Sequence, residues 1–320
     1  MAQNTKIVTV FGGTGFLGRQ VVKDLAKQGF VIKVATRVPE RAYFLKTSGG
    51  VGQVVPFAYD PSDASSVQQA VVGSDYVVNC VGILFERGKT SRFQGAHVDL
   101  AERIAKACAD ERVERFVHVS SLSSDVGTSR YAKTKLLGEQ KVTESFPDAT
   151  ILRPSVIFGE DDNFFNMFAE LSRYVPFLPL IGGGKTRFQP IYVGDVAACI
   201  LEAILTSSEK HTGKIYDLGG PDVITFKEVY EYLFKYTGRH RRLVSLPFWF
   251  ASFEAMFLSL FPKPLLTPDQ VESLKTDNVV REDALGIECF EVKLKTLDLI
   301  LPNYLTRFRR GGIFSDMQSV

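Results

Sequence analysis

Gly12-Gly13-Thr14-Gly15-Phe16-Leu17-Gly18 follows the apolar run Ile7-Val8-Thr9-Val10-Phe11 and opens an amphipathic stretch that reaches Lys27. A buried strand, a glycine turn and a helix start make an anion cradle. The first amides of a helix lack carbonyl partners and lie at the positive end of its dipole. On this reading Gly12 permits the tight turn, Gly15 lets the backbone approach a pyrophosphate, and Gly18 lets helix and strand pack closely. The spacing is G-x-x-G-x-x-G, not the G-x-G-x-x-G of ordinary dehydrogenases. With its flanks it predicts a nucleotide-binding β–α turn.

Outward from this turn the chain alternates. Strand-like apolar runs occupy 6–11, 30–36, 53–58, 75–81, 114–120 and 149–153, and helical patterns fill 16–28, 38–46, 62–72, 93–110 and 130–145. Repeated β–α units with near-continuous apolar strands predict an α/β fold, a Rossmann-type doubly wound parallel sheet. After Arg153 frequent prolines and Gly182-Gly183-Gly184 break the rhythm, as expected of a smaller, irregular α+β lobe. The segment 190–206 regains a strand-then-helix pattern and is expected to rejoin the main sheet. The division expected is 1–155 with 189–222 for the dinucleotide-binding domain, and 156–188 with 223–320 for the smaller lobe.

Composition narrows the function. The 320 residues carry 38 Lys and Arg against 36 Asp and Glu, so no global field favours nucleic acid. Arg239-His240-Arg241-Arg242 lacks interleaved aromatics and reads as a solvated turn. Cys80, Cys108, Cys199 and Cys289 lie far apart, as reduced thiols would, and the four histidines lack metal-ligand spacing, so no metal is expected. Gly184-Lys185-Thr186 is no phosphate loop, because Pro179 stands where the first glycine is required. The first strand begins too early for a targeting peptide in the chain as given, and no transmembrane run occurs.

Two further motifs place the chain. Tyr131-Ala132-Lys133-Thr134-Lys135 is a Tyr-x-x-x-Lys on an expected helix, and Arg153-Pro154-Ser155-Val156-Ile157-Phe158-Gly159 follows the sixth strand. With the glycine turn, the chain resembles the extended short-chain dehydrogenase/reductase family from residue 6 to about 300. Ser129-Arg130-Tyr131, Gln189-Pro190-Ile191-Tyr192-Val193 and the aromatic run after Leu246 resemble its atypical branch, which carries an accessory subunit of respiratory complex I.

The second strand ends Val34-Ala35-Thr36-Arg37, with no acidic side chain to accept from ribose hydroxyls and with Arg41 following. Guanidinium groups match a 2′-phosphate, so NADP(H) is expected over NAD(H). The resemblance implies further cofactor contacts at Thr14, Phe16, Leu17, Asp60, Val81, Gly82, Pro154, Ser155, Val156 and Ile157. Asp60 and Asn79 read equally well as turn and strand-end polar groups.

The resemblance also implies that Tyr131 exchanges a proton while Lys135 lowers its pKa and holds the nicotinamide ribose. One helical turn separates the two, so they share a face, and Lys133 points elsewhere. The hydroxyl that polarises a substrate oxygen in the family falls on Leu122. Ser120, Ser121 and Ser123 are doubtful substitutes. A leucine cannot donate to an oxyanion, so binding is expected to be better preserved than turnover.

Leu246 to Phe261 is almost wholly apolar. On a helix Trp249, Phe253, Met256, Phe257 and Leu260 form a broad stripe, expected to be buried or to line a pocket. Phe250 and Phe261 form an outer flank, expected to dock on a partner or membrane surface. The basic tail 307–312 is expected to be frayed. The resulting expectation is an NADP(H)-binding accessory subunit of complex I with weak or no turnover. It would be cytoplasmic or matrix-side and peripheral to the inner membrane. The alternative is an active NADP-dependent reductase or epimerase acting on a hydrophobic or nucleotide-linked substrate through Tyr131 and Lys135.

Overall fold

The computed structural model describes residues 5–88, 91–122, 124–206, 208–261 and 264–312. Its first half alternates as expected: β1 (Ile7–Phe11), α1 (Phe16–Lys27), β2 (Val31–Thr36), β3 (Val54–Ala58), α2 (Ala64–Val71), β4 (Tyr76–Asn79), α3 (Leu100–Asp110), β5 (Arg115–Val119), α4 (Arg130–Ser145) and β6 (Thr150–Pro154). The expected helix at 38–46 is a 3₁₀ helix, Pro39–Ser48, and that at 93–110 begins as a π turn, Gln94–Asp99.

The second half contains β7 (Ile157–Phe158), α5 (Phe165–Tyr174), β8 (Phe177–Ile181), β9 (Arg187–Phe188), β10 (Ile191–Tyr192), α6 (Val193–Leu205), α7 (Ser208–His211) and β11 (Ile215–Leu218). It ends with β12 (Ile224–Thr225), α8 (Phe226–Thr237), β13 (Arg242–Leu246), α9 (Phe248–Leu258), α10 (Pro268–Ser273) and α11 (Leu297–Leu305).

Seven strands form one parallel sheet in the order β11-β6-β5-β4-β1-β2-β3. The order reverses between β1 and β4, which opens a crevice at their carboxyl ends. Both faces are covered, which is why the strands are apolar throughout. Leu17, Val21 and Leu25 of α1 pack with Val196, Ile200 and Ile204 of α6 on one side. Val67 of α2, Ile104 of α3 and Val142 of α4 pack on the other.

Five expectations need correction. Ile191–Tyr192 does not rejoin the main sheet. It pairs with Ile157–Phe158, and β11 supplies the seventh strand. Two residues between Pro190 and the start of α6 are too few for a full strand. The stretch 287–294, expected in the smaller lobe, packs on the sheet, where Phe290 stacks on His211 at 4.6 Å. The basic turn is not merely solvated, because Arg239 Nε donates to Phe308 O and Arg241 Nε to Ser172 O. The first of those contacts, with Arg309 Nε on Tyr236 O, also pins the tail, expected to be frayed, through Arg309.

The smaller lobe has its own core, rich in aromatic rings: Phe158, Phe165, Phe188, Phe226, Tyr230 and Tyr304. The fifth correction concerns its surface. Only Ala251 and Ala255 of α9 are fully covered, whereas Trp249 is 73 % exposed, and Phe253, Met256, Phe257 and Leu260 are exposed too. The small side chains form the inner face because they let the helix backbone close on its neighbours. No helix among the described residues is long and apolar enough to cross a membrane.

Candidate dinucleotide site

The glycine turn is built as its spacing implies. Gly12 has φ +75°, and an added Cβ would lie 2.9 Å from the Cys80 carbonyl carbon at the end of β4. Gly15 is extended and precedes α1 with no side-chain cap and no acidic residue in the first turn. A Cβ at Gly18 would lie 2.1 Å from the Gly12 carbonyl oxygen, so helix and turn are in backbone contact. Gly13 has a role the spacing did not suggest, since its Cβ would come within 2.9 Å of Val34 Cγ1. The first amides of α1 therefore carry no side-chain cap, as a pyrophosphate site requires. Thr14 and Phe16 are partly exposed there, and Leu17 turns into the core.

Arg37 and Arg41 are exposed at and after the end of β2, and neither pairs with a carboxylate among the described residues. Tyr59, whose phenol burial pushes up to about 12, lies close enough to Arg37 to feel its charge and sits edge-on to Phe11. Asp60 is spent locally, accepting from the Ser62 amide at 2.8 Å and from its hydroxyl at 2.6 Å. Asn79 shapes the next loop, its Oδ1 accepting from the Val81 amide at 3.0 Å. Gly82 is exposed, and a Cβ there would be 3.9 Å from Lys135 Nζ.

The arrangement fits a dinucleotide with a 2′-phosphate. Arg37→Ala is expected to weaken NADPH binding about tenfold to a hundredfold, the loss of a charge-assisted pair, and to leave NADH nearly unaffected. Fluorescence titration of both coenzymes checks this, and equal NADPH affinity in the two proteins would refute it.

Tyr131 and Lys135 share one face of α4. Lys135 is buried, donates to Val119 O at 2.9 Å, and is pulled down to about 8 by burial, against the pull of the Glu139 carboxylate. The expected depression of the tyrosine is not what the site shows. Burial pushes the Tyr131 phenol up, and the Ser121 hydroxyl beside it pulls the other way.

Two rings that the sequence did not single out frame the phenol. His97 lies edge-on at 5.2 Å and Phe93 edge-on at 5.9 Å. The π turn aims His97 there, as such insertions often re-aim side chains at sites. Its Nε2 accepts from the Ile83 amide at 3.1 Å, and Nδ1 lies 3.0 Å from Thr134 Oγ1. Burial pushes its pKa down to about 3, so the ring is neutral.

The doubtful serines separate. Ser121 meets Tyr131. Ser120 does not face the cleft, because its hydroxyl donates to Glu139, as does that of Ser124 at 2.8 Å. Ser123 lies outside the described residues. Leu122 is 4 % exposed, its amide bonded to Pro154 O.

Glu139 also takes a bidentate pair from Arg153, which reaches Asp125 at 2.7 Å and lies 3.8 Å from Asp217. Burial holds the Asp217 carboxyl up at about 6 in spite of Arg153 and Arg281. Ser155 Oγ donates to Asn278 Oδ1 at 2.5 Å, and the Val156 amide donates to the same oxygen at 3.2 Å. The segment between α10 and α11 thus closes the loop after β6, leaving Pro154, Val156 and Ile157 to line it with backbone and apolar groups.

The profile of the family described as NAD(P)H-binding matches residues 12–206. NADH dehydrogenase [ubiquinone] 1 alpha subcomplex subunit 9 of Arabidopsis thaliana mitochondria is 36% identical, across 96% of this chain and 79% of that protein. Its Mus musculus namesake is 34% identical, across 95% and 80%. Among solved structures, the NADPH-dependent quinone oxidoreductase QOR2 of Escherichia coli, complexed with NADPH, superposes with a TM-score of 0.73. It is 19% identical and covers 94% of this chain and 99% of that one, a likeness of fold.

Proposed function

The chain belongs to the NAD(P)H-binding short-chain dehydrogenase/reductase family, among the relatives of subunit 9, and from that premise we propose that it is an NADP(H)-carrying accessory subunit of NADH:ubiquinone oxidoreductase with weak or no turnover. One contrast carries the proposal. Uncapped helix amides and two guanidiniums without a carboxylate partner among the described residues favour a working dinucleotide cradle, while the position that the family resemblance assigns to polarising a substrate oxygen is the buried Leu122.

Bound NADPH would supply a hydride. The chain's own contribution would be to hold the pyrophosphate at Gly12, Gly15 and Gly18, the 2′-phosphate at Arg37 and Arg41, and the nicotinamide ribose at Tyr131 and Lys135. Without a preorganised donor for the developing oxyanion, the largest usual source of transition-state stabilisation is missing. The exposed face of α9 would be the docking surface. Trp249, Phe253, Met256 and Phe257 of α9, with Leu260 just beyond it, leave large apolar side chains in the open, as a docking surface would. Docking there would place the chain peripherally, on the matrix or cytoplasmic side of the energy-coupling membrane.

A second reading, an active NADP-dependent reductase or epimerase, is favoured by one contact, the Ser121 hydroxyl against Tyr131. One purification separates the readings. Tagged chain isolated from its own cells is expected to co-migrate with the oxidoreductase and to release NADPH on denaturation. An empty cleft, a free-running monomer and steady carbonyl reduction abolished by Tyr131→Phe would instead establish the second reading.

A further inference from the structure

The first turn of α4 is capped from the other lobe. Asp269 Oδ1 accepts from the Arg130 amide at 2.7 Å, and its Oδ2 accepts from the Tyr131 amide at 3.1 Å. Thr128 Oγ1 donates to Glu272 Oε1 at 2.7 Å, so two carboxylates of α10 hold the start of α4. The local cap is weaker in reach, because Ser129 Oγ takes only the Ala132 amide. Helix α10 is itself rigidly set. Thr267 and Gln270 close a capping box at its start, and Val271 is fully buried. Its other neighbour is α9, which packs against it, buries Ala251 and Ala255 and leaves its aromatic stripe exposed.

We propose that Asp269 is a positioning residue that couples the outward face of α9 to the dinucleotide site, so that whatever covers one changes the affinity of the other. The inference rests on the reading that the cleft holds NADP(H) and that α9 docks. The physical chain is short. Anything pressing on α9 bears on α10 because the two helices pack directly on each other, and a close-packed contact leaves little slack for them to slide. Any shift of α10 drags the Asp269 carboxylate, and two charge-assisted bonds tie that carboxylate to the amides beneath Tyr131. Moving it would strand two amides at the start of α4, so the first turn follows rather than lets go. Coupling of this kind is reciprocal, so dinucleotide binding must be felt at α9 to the same degree.

Hydrogen–deuterium exchange of the full chain with and without NADPH tests this. In the wild type NADPH is expected to slow exchange at 12–18 and 131–135, and also by about fivefold or more at 248–258 and 268–273, within the usual range of coupling between sites. In Asp269→Ala the protection at 12–18 is expected to persist while the distal protection disappears. A purely structural role for Asp269 would lower stability without separating the two. Asp269→Asn, which keeps one acceptor oxygen, serves if the alanine variant fails to fold, and is expected to retain part of the distal effect. Cleft protection with no change at 248–273 in the wild type would overturn the coupling, as would distal protection surviving in Asp269→Ala or surviving undiminished in Asp269→Asn. No protection even at 12–18 would overturn the reading of the cleft, and the coupling with it.

Discussion

Gly18→Ala is expected to abolish measurable NADPH binding and to destabilise the fold together. The added methyl would stand 2.1 Å from the Gly12 carbonyl oxygen, 2.7 Å from Gly13 Cα and 2.8 Å from the Gly12 carbonyl carbon. All three are backbone atoms of the turn, so no side chain can swing aside. Either α1 retreats from β1 or the turn is rebuilt. Overpacking a tight core commonly costs about 1–3 kcal/mol, and a clash against main chain belongs at or above the top of that range. The same atoms present the pyrophosphate amides, so affinity is expected to fall about a hundredfold or more, which is about 2.7 kcal/mol. Gly15→Ala separates the two effects. Its methyl would meet only the Gly12 carbonyl oxygen, at 3.2 Å, a tight contact that a shift of a few tenths of an ångström relieves, and φ is −77°, open to any residue. That variant should melt like the wild type and still bind NADPH weakly, because its methyl occupies the anion's approach. Coenzyme titration and thermal melts read both. Undiminished binding by Gly18→Ala would sink the assignment of the cleft.

Glu139→Ala is expected to be the most damaging single change away from the cleft. Its carboxylate accepts from Arg153 Nε at 3.0 and 3.1 Å and from Nη2 at 2.6 Å, and also from the hydroxyls of Ser120 and Ser124. Truncation would leave the buried Arg153 leaning on Asp125 and the more distant Asp217. Breaking a buried pair from one side costs about 3–5 kcal/mol, because the stranded charge keeps its desolvation penalty. For a chain of this length that is a melting shift of roughly 4–8 °C, from the usual unfolding entropy per residue. Ser120→Ala removes one donor only and should cost about 1 kcal/mol with coenzyme binding intact, which fits a structural hydroxyl. A melting point for Glu139→Ala within a degree of the wild type would refute the network's role.

Much of the first half was legible because its signals are local. The strand–turn–helix rhythm, the glycine spacing and the tyrosine–lysine face are written within single elements, and each needs only its own neighbours to form. The absent acid at the end of β2 was legible for the same reason. His97 was not, because a histidine amid a helical pattern carries no mark of the π turn that aims it at Tyr131. Nor were Ser121 and Ser120 separable, since adjacent strand-end residues differ only in which way the chain bends after Val119.

What the amino-acid order determined by itself is the doubly wound sheet and the cleft at its reversal, since both follow from short-range periodicity and backbone sterics. Tertiary structure alone decided which carboxylates reach Arg153, that Asn278 closes the loop at Ser155, and that Asp269 caps the helix of Tyr131. Those partners are 14 to 139 residues apart. The outward turn of α9 belongs with them. A helix apolar on nearly every side has no intrinsic inner face, so the close approach its alanines permit settled what was covered and left the large rings in the open.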